Sequence, residues 1–330
     1  VIQRAAAVLR AGGLVAFPTE TVYGLGADAL DGAAVRRIFE AKGRPANNPL
    51  IVHVADVATV AAAAAEWPAV AARLAEQFWP GPLTLVLPRA VAVPDAVTAG
   101  GPTVGVRFPA HPVAQALIKA SGVPLAAPSA NRSTQLSPTR AEHVLRDLDG
   151  RIEMILDGGP TPGGLESTVL NLTTSPPHLL RPGLVTPEEI EAVIGPIDKS
   201  GSEKGSVPLS SQGQSPFPSL PVPSPGMLGR HYAPRTRLEL AEDDGWKLVA
   251  AHCRAGRRVG WLSFGATAEQ RLAVARCVIM PAEAVDYAAR LYAVLHALDD
   301  AGVDRIVVAL PPDTPEWLAV RDRLSRAAAL

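Results

Sequence analysis

A chain of 330 residues, 48% hydrophobic and 19% charged, can bury a sizeable core and reads as globular, with room for two domains. Its net charge of −1 gives no global attraction to nucleic acid, and two isolated cysteines, Cys253 and Cys277, exclude a disulfide framework or a cysteine zinc site. The longest strongly apolar run, Val57 to Ala65, is about half a membrane span, and the amino terminus lacks a charged stretch followed by a long apolar one; a soluble, cytoplasmic protein with no membrane contact is expected.

Periodicity predicts helices over Gln3–Ala11, Gly32–Ala41, Val70–Phe78, Pro112–Ala120, Arg140–Leu148 and Pro187–Ile194. Strands are expected over Leu14–Phe17, Leu50–Val54, Leu83–Leu87, Thr103–Phe108, Leu125–Ala127, Ile152–Leu156, Ser167–Leu172 and Leu179–Arg181. Several of these strands follow one another with no helix between, which predicts an α/β fold built on a twisted mixed sheet with flanking helices over residues 1–195. Residues 196–235 hold eight prolines and eight serines and read as a linker. Its last part, Ser224-Pro225-Gly226-Met227-Leu228-Gly229-Arg230-His231-Tyr232-Ala233-Pro234-Arg235, concentrates rings and cations that a passive spacer does not need, so it is expected to fold over a site. Residues 236–330 predict strands at Val259–Phe264, Val278–Met280 and Ile306–Leu310 among helices near Trp246–Arg254, Glu269–Ala275, Ala284–Ala301 and Pro315–Ala327. That pattern is a small Rossmann-like α/β domain with no glycine-rich phosphate loop.

Chemistry concentrates first in Lys42-Gly43-Arg44-Pro45-Ala46-Asn47-Asn48-Pro49-Leu50-Ile51-Val52-His53, where two prolines stiffen a loop of cations and amides that leads into a strand. A rigid, donor-rich cationic loop suits an anionic ligand such as a nucleotide phosphate, and the period of two puts Ile51 and His53 on one face. Phe17-Pro18-Thr19-Glu20-Thr21-Val22-Tyr23-Gly24-Leu25-Gly26 follows a strand and offers hydroxyls and close backbone approach, although an ordinary strand-turn explains it equally well. In Thr103-Val104-Gly105-Val106-Arg107-Phe108, alternation sets Arg107 on a polar face beside a glycine, where it either grips an anion in bidentate fashion or makes a surface ion pair. Ser129 and Asn131, two apart on an extended segment, are expected to face one ligand; beyond them Thr139 is expected to cap the helix from Arg140. Glu166-Ser167-Thr168 and Arg181-Pro182-Gly183 complete the set, with Arg181 at a strand end. The sequence contains no Walker phosphate loop, GxSxG elbow, HExxH or CxxC.

As an ordered set, PTETVYGLG, KGRPANNPLIVH, TVGVR, the Ser129/Asn131 pair, EST, RPG and SPGMLGRHYAP resemble the YrdC-type threonylcarbamoyl-AMP synthases, most closely the long two-domain form. The resemblance implies a nucleotidyltransferase that joins L-threonine, bicarbonate or carbon dioxide and ATP into threonylcarbamoyl-AMP with release of diphosphate, for tRNA threonylcarbamoyladenosine modification next to the anticodon. It implies threonine contacts from Thr21, His53, Arg107 and Ser167. For ATP it implies Arg44, Asn48, Thr103, Ser129, Asn131, Ser137 and Arg181, with His231 and Tyr232 closing from the linker. Lys42, Arg44 and Arg181 would stabilise phosphoryl transfer, with Mg²⁺ arriving on ATP. Many relatives carry a hydroxyl residue where this chain has Ala127, so that contact would come from elsewhere, such as Ser167. The implied partners are the tRNA threonylcarbamoyl transferase machinery and a double-stranded RNA or tRNA contact. Two competing readings are a double-stranded RNA-binding module without ATP turnover, and carbamoyl transfer in hydrogenase maturation; the latter calls for zinc-binding cysteine pairs that this chain lacks.

Overall fold

The computed structural model describes residues 1–200 and 231–329, so the stretch Ser224–Arg230 of the expected covering segment lies outside the described residues. The first domain is a nine-stranded mixed sheet. Its strands in chain order are β1 (Val15–Pro18), β2 (Tyr23–Asp28), β3 (Ile51–His53), β4 (Leu83–Pro88), β5 (Thr103–Arg107), β6 (Leu125–Ala126), β7 (Met154–Ile155), β8 (Thr168–Asn171) and β9 (His178–Arg181). Their spatial order is β7-β1-β2-β6-β3-β5-β4-β8-β9, with β1/β7, β3/β5 and β4/β8 parallel and the remaining pairs antiparallel. This is the mixed sheet the strand succession called for.

The alternation of each strand divides the sheet's faces. Val52, Leu85, Val104 and Val106 pack into the main core with Ala34, Val35 and Ile38 of the helix Gly32–Lys42 and Ala71 and Leu74 of the helix Ala69–Phe78. Each such aliphatic side chain gains about 1.5–3 kcal/mol from burial. On the opposite face lie Ile51, His53, Gly105 and Arg107, and the β3/β5 register sets His53 directly beside Arg107. Gly105 pairs with Ile51 there, and a side chain on it would press against Ile51 and Thr84 at 3.4 and 3.2 Å, so glycine keeps this face open.

The second domain is a four-stranded parallel sheet, β10 (Leu238–Ala241), β11 (Val259–Ser263), β12 (Arg276–Ile279) and β13 (Arg305–Ala309), in the order β10-β13-β11-β12. Its helices Ala284–Asp300 and Leu318–Ala328 dock on the first domain. Tyr287, Leu291, Tyr292 and Leu324 share one apolar cluster with Val22, Leu136 and Leu165. At Gly164 (φ +72°) the backbones come so close that a Cβ would lie 2.4–2.7 Å from main-chain atoms of Ala288 and Ala289.

Some expectations fail locally. Tyr23–Asp28 is a strand rather than a turn, and β10 has no counterpart among the expected strands. The last helix begins with a 3₁₀ turn, Pro315–Trp317, before Leu318–Ala328. Thr139 is not a cap: the helix Ala141–Leu148 starts at Arg140 with no side-chain cap, and the Thr139 amide donates to His143 Nδ1 at 3.3 Å.

Candidate active site

A cleft lies on the polar face of the first sheet. Thr19, Thr21, Arg44, His53, Arg107, Ser129, Glu166, Ser167, Arg181, His231 and Tyr232 line it, with Val22, Gly24, Ile51, Ala127 and Pro128 between them. Nine of the residues expected to bind ligands are therefore gathered in one place: Thr21, Arg44, His53, Arg107, Ser129, Ser167, Arg181, His231 and Tyr232.

Three guanidinium groups set its electrostatics. Arg44 is 8% exposed, Arg107 4% and Arg181 4%, a degree of burial that charged side chains tolerate only with strong partners. Arg107 donates to Glu20 at 2.6 Å, to the Thr21 hydroxyl at 3.0 Å and to the Gly81 carbonyl at 3.2 Å. Arg181 donates to the Ser167 carbonyl at 3.1 Å, the Ser167 hydroxyl at 3.3 Å and the Tyr232 hydroxyl at 3.4 Å. Arg44 differs. Its partners are neutral oxygens, Asn48 Oδ1 at 2.6 Å, the Pro49 carbonyl at 2.9 Å and the Asn48 carbonyl at 3.1 Å, and it has no carboxylate partner among the described residues. Burial, followed by the charge of Arg181, pushes Arg44 down to about 10, which leaves it cationic at neutral pH. A buried cation with neutral partners is a ready seat for an anion.

The imidazoles add neutral polarity. His53 is buried, its Nδ1 has no hydrogen-bond partner among the described residues, and burial with the neighbouring Arg107 charge pushes it down to about 3. His231 shows the same pattern: burial and the Arg44 charge push it to about 3, and its Nδ1 is likewise unpartnered there. Both rings are uncharged at pH 7, and each can give or take a hydrogen bond from a ligand. Asn48, fully buried behind Arg44, leaves its Nδ2 unpartnered as well.

Tyr232 arrives from the linker's end. The backbone amide of His231 donates to the Arg326 carbonyl at 3.3 Å and that of Ala233 to the Thr134 carbonyl at 3.0 Å, which pins the segment between the two domains. Tyr232 itself has φ +58°, a left-handed conformation that costs a non-glycine residue about 1–2 kcal/mol and persists because its buried ring is held on all sides.

Five expected ligands stand outside the lining: Asn48, which holds Arg44, and four others. The Lys42 ammonium is not in the cleft lining: it donates to the carbonyls of Ser129 and Asn131, each at 2.5 Å, and so holds the segment carrying Ser129. Burial, then the Arg44 charge, pushes Lys42 well below the ordinary lysine value. Asn131 does not face the ligand with Ser129; its amide donates to the Arg132 and Gln135 carbonyls at 2.9 and 2.8 Å. Ser137 is spent on Glu166, to which its hydroxyl donates a short hydrogen bond. Thr103 begins β5, four residues or about 13 Å along the strand from Arg107, and lies outside the lining.

Sequence reasoning gave no role to Glu20, Thr84, Glu166, Tyr292 or Arg323. Glu20 holds Arg107, and the Thr84 hydroxyl shares a 2.8 Å hydrogen bond with that of Ser167. Their neighbours in the PTET and EST motifs were the available signal for Glu20 and Glu166; Tyr292 and Arg323 had none.

Residues 7–183 match the Sua5/YciO/YrdC family model, described as telomere recombination, and residues 185–329 match that of the threonylcarbamoyl-AMP synthase C-terminal domain. The chain is 48% identical to the threonylcarbamoyl-AMP synthase of Bacillus subtilis (strain 168), across 99% of this chain and 92% of the relative. It is 45% identical to that of Pyrococcus abyssi, across 99% and 94%. The crystal structure of P. abyssi Sua5 complexed with L-threonine superposes with a TM-score of 0.89 at 44% identity, covering 99% of this chain and 94% of that one. Two domain matches in series and near-complete coverage place this chain in the threonylcarbamoyl-AMP synthase family, in its two-domain form.

Proposed function

We propose that the cleft binds L-threonine and ATP side by side and joins them, with bicarbonate or carbon dioxide, into L-threonylcarbamoyl-AMP. The observation that carries this reading is Arg44, a buried guanidinium with neutral partners in a cleft lined by two further arginines. The ATP phosphates would lie against Arg44, Arg181 and Ser129, with His231 and Tyr232 on the linker side. The threonine carboxylate would take Arg107, displacing Glu20, with Thr21, His53 and Ser167 around the amine and hydroxyl. The Ala127 methyl lines this end of the cleft and offers no hydroxyl, so the Ser167 hydroxyl stands in for one.

In the reaction the threonine amine adds to the carbon of carbon dioxide and loses a proton, forming a carbamate. A carbamate oxygen then attacks the α-phosphorus, the α–β phosphoanhydride bond breaks, and diphosphate leaves with the electron pair. Neither step needs a protein nucleophile. The chain's own residues orient the reactants, neutralise charge growing on the phosphates through Arg44 and Arg181, and exclude water from a mixed anhydride that hydrolyses readily.

Mg²⁺ would enter as part of the nucleotide. The described residues hold no cluster of three metal-ligating side chains, and Glu166 is taken up by Arg323. The ion would therefore rest on phosphate oxygens and water. The product is a reactive acyl phosphate, so a threonylcarbamoyl transfer to tRNA must consume it promptly. The RNA-binding alternative has no comparable support: the three arginines of the cleft are buried rather than spread over an exposed face.

Calorimetric titration tests the assignment. Arg107→Ala is expected to lose L-threonine binding and keep ATP, and Arg181→Ala the reverse. Threonine bound as tightly by Arg107→Ala as by the wild type would refute it.

A further inference from the structure

Arg323, on the last helix of the second domain, has a fully buried side chain 157 residues from the glutamate it meets in the first domain. Its three nitrogens take three different acceptors: Nε donates to Glu166 Oε2 at 2.8 Å, Nη1 to Asp322 Oδ2 at 2.5 Å and Nη2 to the Pro182 carbonyl at 3.0 Å. The same guanidinium lies 5.0 Å from the centroid of the Tyr232 ring. Of its contacts, Glu166 is itself in the cleft lining beside Ser167, Pro182 follows Arg181 in sequence, and Tyr232 is in the lining and accepts from Arg181. Glu166 is further held by the Ser137 hydroxyl and by the Tyr292 hydroxyl at 3.2 Å, again from the second domain.

We propose that Arg323 is a positioning residue for adenylate synthesis: its fork fixes the Glu166–Ser167 segment, the Arg181–Pro182 turn and Tyr232 relative to one another, so the site is incomplete without the second domain. The geometry requires arginine. A lysine ammonium at this depth has no planar fork to reach a carboxylate, a carbonyl and a ring face at once.

Charge supports the same role. Burial alone raises Glu166, but Arg323, Arg181 and the Ser137 hydroxyl outweigh it and hold the carboxyl below the usual glutamate range. The other groups facing it, Tyr292, Tyr232 and His231, are neutral at pH 7, and Asp322 faces Arg323 from its own helix. With the guanidinium gone, burial raises Glu166, and its protonated form becomes populated closer to neutrality.

This inference rests on the synthase reading, and one assay separates the two. Threonine- and bicarbonate-dependent diphosphate release is measured against pH for full-length wild type, Arg323→Met and Tyr292→Phe, with folding checked by circular dichroism and thermal melting. Arg323→Met is expected to lose roughly tenfold or more in kcat, with the acid limb of its pH profile raised by about one unit. Tyr292→Phe, which removes one donor and leaves no unpaired charge, shifts both the same way by less. A merely structural ion pair would lower the melting temperature and leave kcat and the pH profile of the folded protein unchanged. Folded Arg323→Met with wild-type kcat and profile overturns the proposal. If Arg323→Met does not fold, wild-type behaviour of Tyr292→Phe overturns it. Absence of such release from the wild type sinks the synthase reading itself, and this inference with it.

Discussion

Arg44 carries a charge that folding has buried against amide and carbonyl oxygens alone. An interior cation of this kind is costly unless its field is used, and an anionic ligand uses it. Arg44→Ala is expected to lower threonine-dependent diphosphate release at least 100-fold, in line with removal of one transition-state donor, while the melting curve stays cooperative. Turnover within a fewfold of wild type would remove Arg44 from the site. Lys42 presents the contrast. Its ammonium ties two carbonyls together, so Lys42→Met should destabilise the fold by about 1–3 kcal/mol through unpaired buried acceptors, read from the denaturant midpoint. An unchanged midpoint would show that the ammonium is dispensable to the fold.

At the level of elements, the sequence was most legible where alternation and period were clean. The six helices expected in the first domain match within a residue, and period alone puts Thr103–Arg107 on its correct face. It was least legible where backbone proximity overrides propensity. Gly24 and Gly26 made Tyr23–Asp28 look like a turn, yet a Cβ on Gly26 would lie 2.7 Å from the Phe17 ring, so glycine is what lets β2 pair with β1 there. The last helix reads LAVRDRLSRAA, and its charges look solvated, yet Asp322 and Arg323 are buried, Arg323 against the other domain. No local pattern announces an ion pair made across 157 residues. The family resemblance pointed to nine members of the cleft, but not to the way Asn131, Lys42 and Ser137 support it from behind. The RPG turn makes its own prediction. A Cβ on Gly183 would sit 2.3–2.7 Å from backbone atoms of Glu166, Ser167 and Thr168, so Gly183→Ala must displace the segment carrying Ser167. It should cost roughly 1–3 kcal/mol of stability and most of the turnover; a variant with wild-type melting and activity would refute the close approach.

Across the whole molecule, the two domains meet over a buried surface that holds titratable rings. His143 and His296 stack at 3.8 Å between domains, and His296 contacts the Ser137 carbonyl at 3.1 Å. Burial comes first among the causes that push His53, His143 and His231 down to about 3 and His296 to about 4, from an ordinary 6.5. The unfolded chain therefore takes up protons below 6.5 that the folded chain refuses until near 3–4. Stability falls as pH drops through that window, by about 1.4 kcal/mol per pH unit for each ring at most. The denaturant midpoint should be markedly lower at pH 5.5 than at pH 7.5, and equal midpoints would show that these rings are not buried neutral.

In the proposed reaction one cleft joins threonine, carbon dioxide and ATP. Diphosphate release by the full chain, with L-threonine and bicarbonate each supplied or withheld, tests it most directly. Release that requires both is expected. Release that ignores threonine, or none from folded protein under any combination, would contradict it.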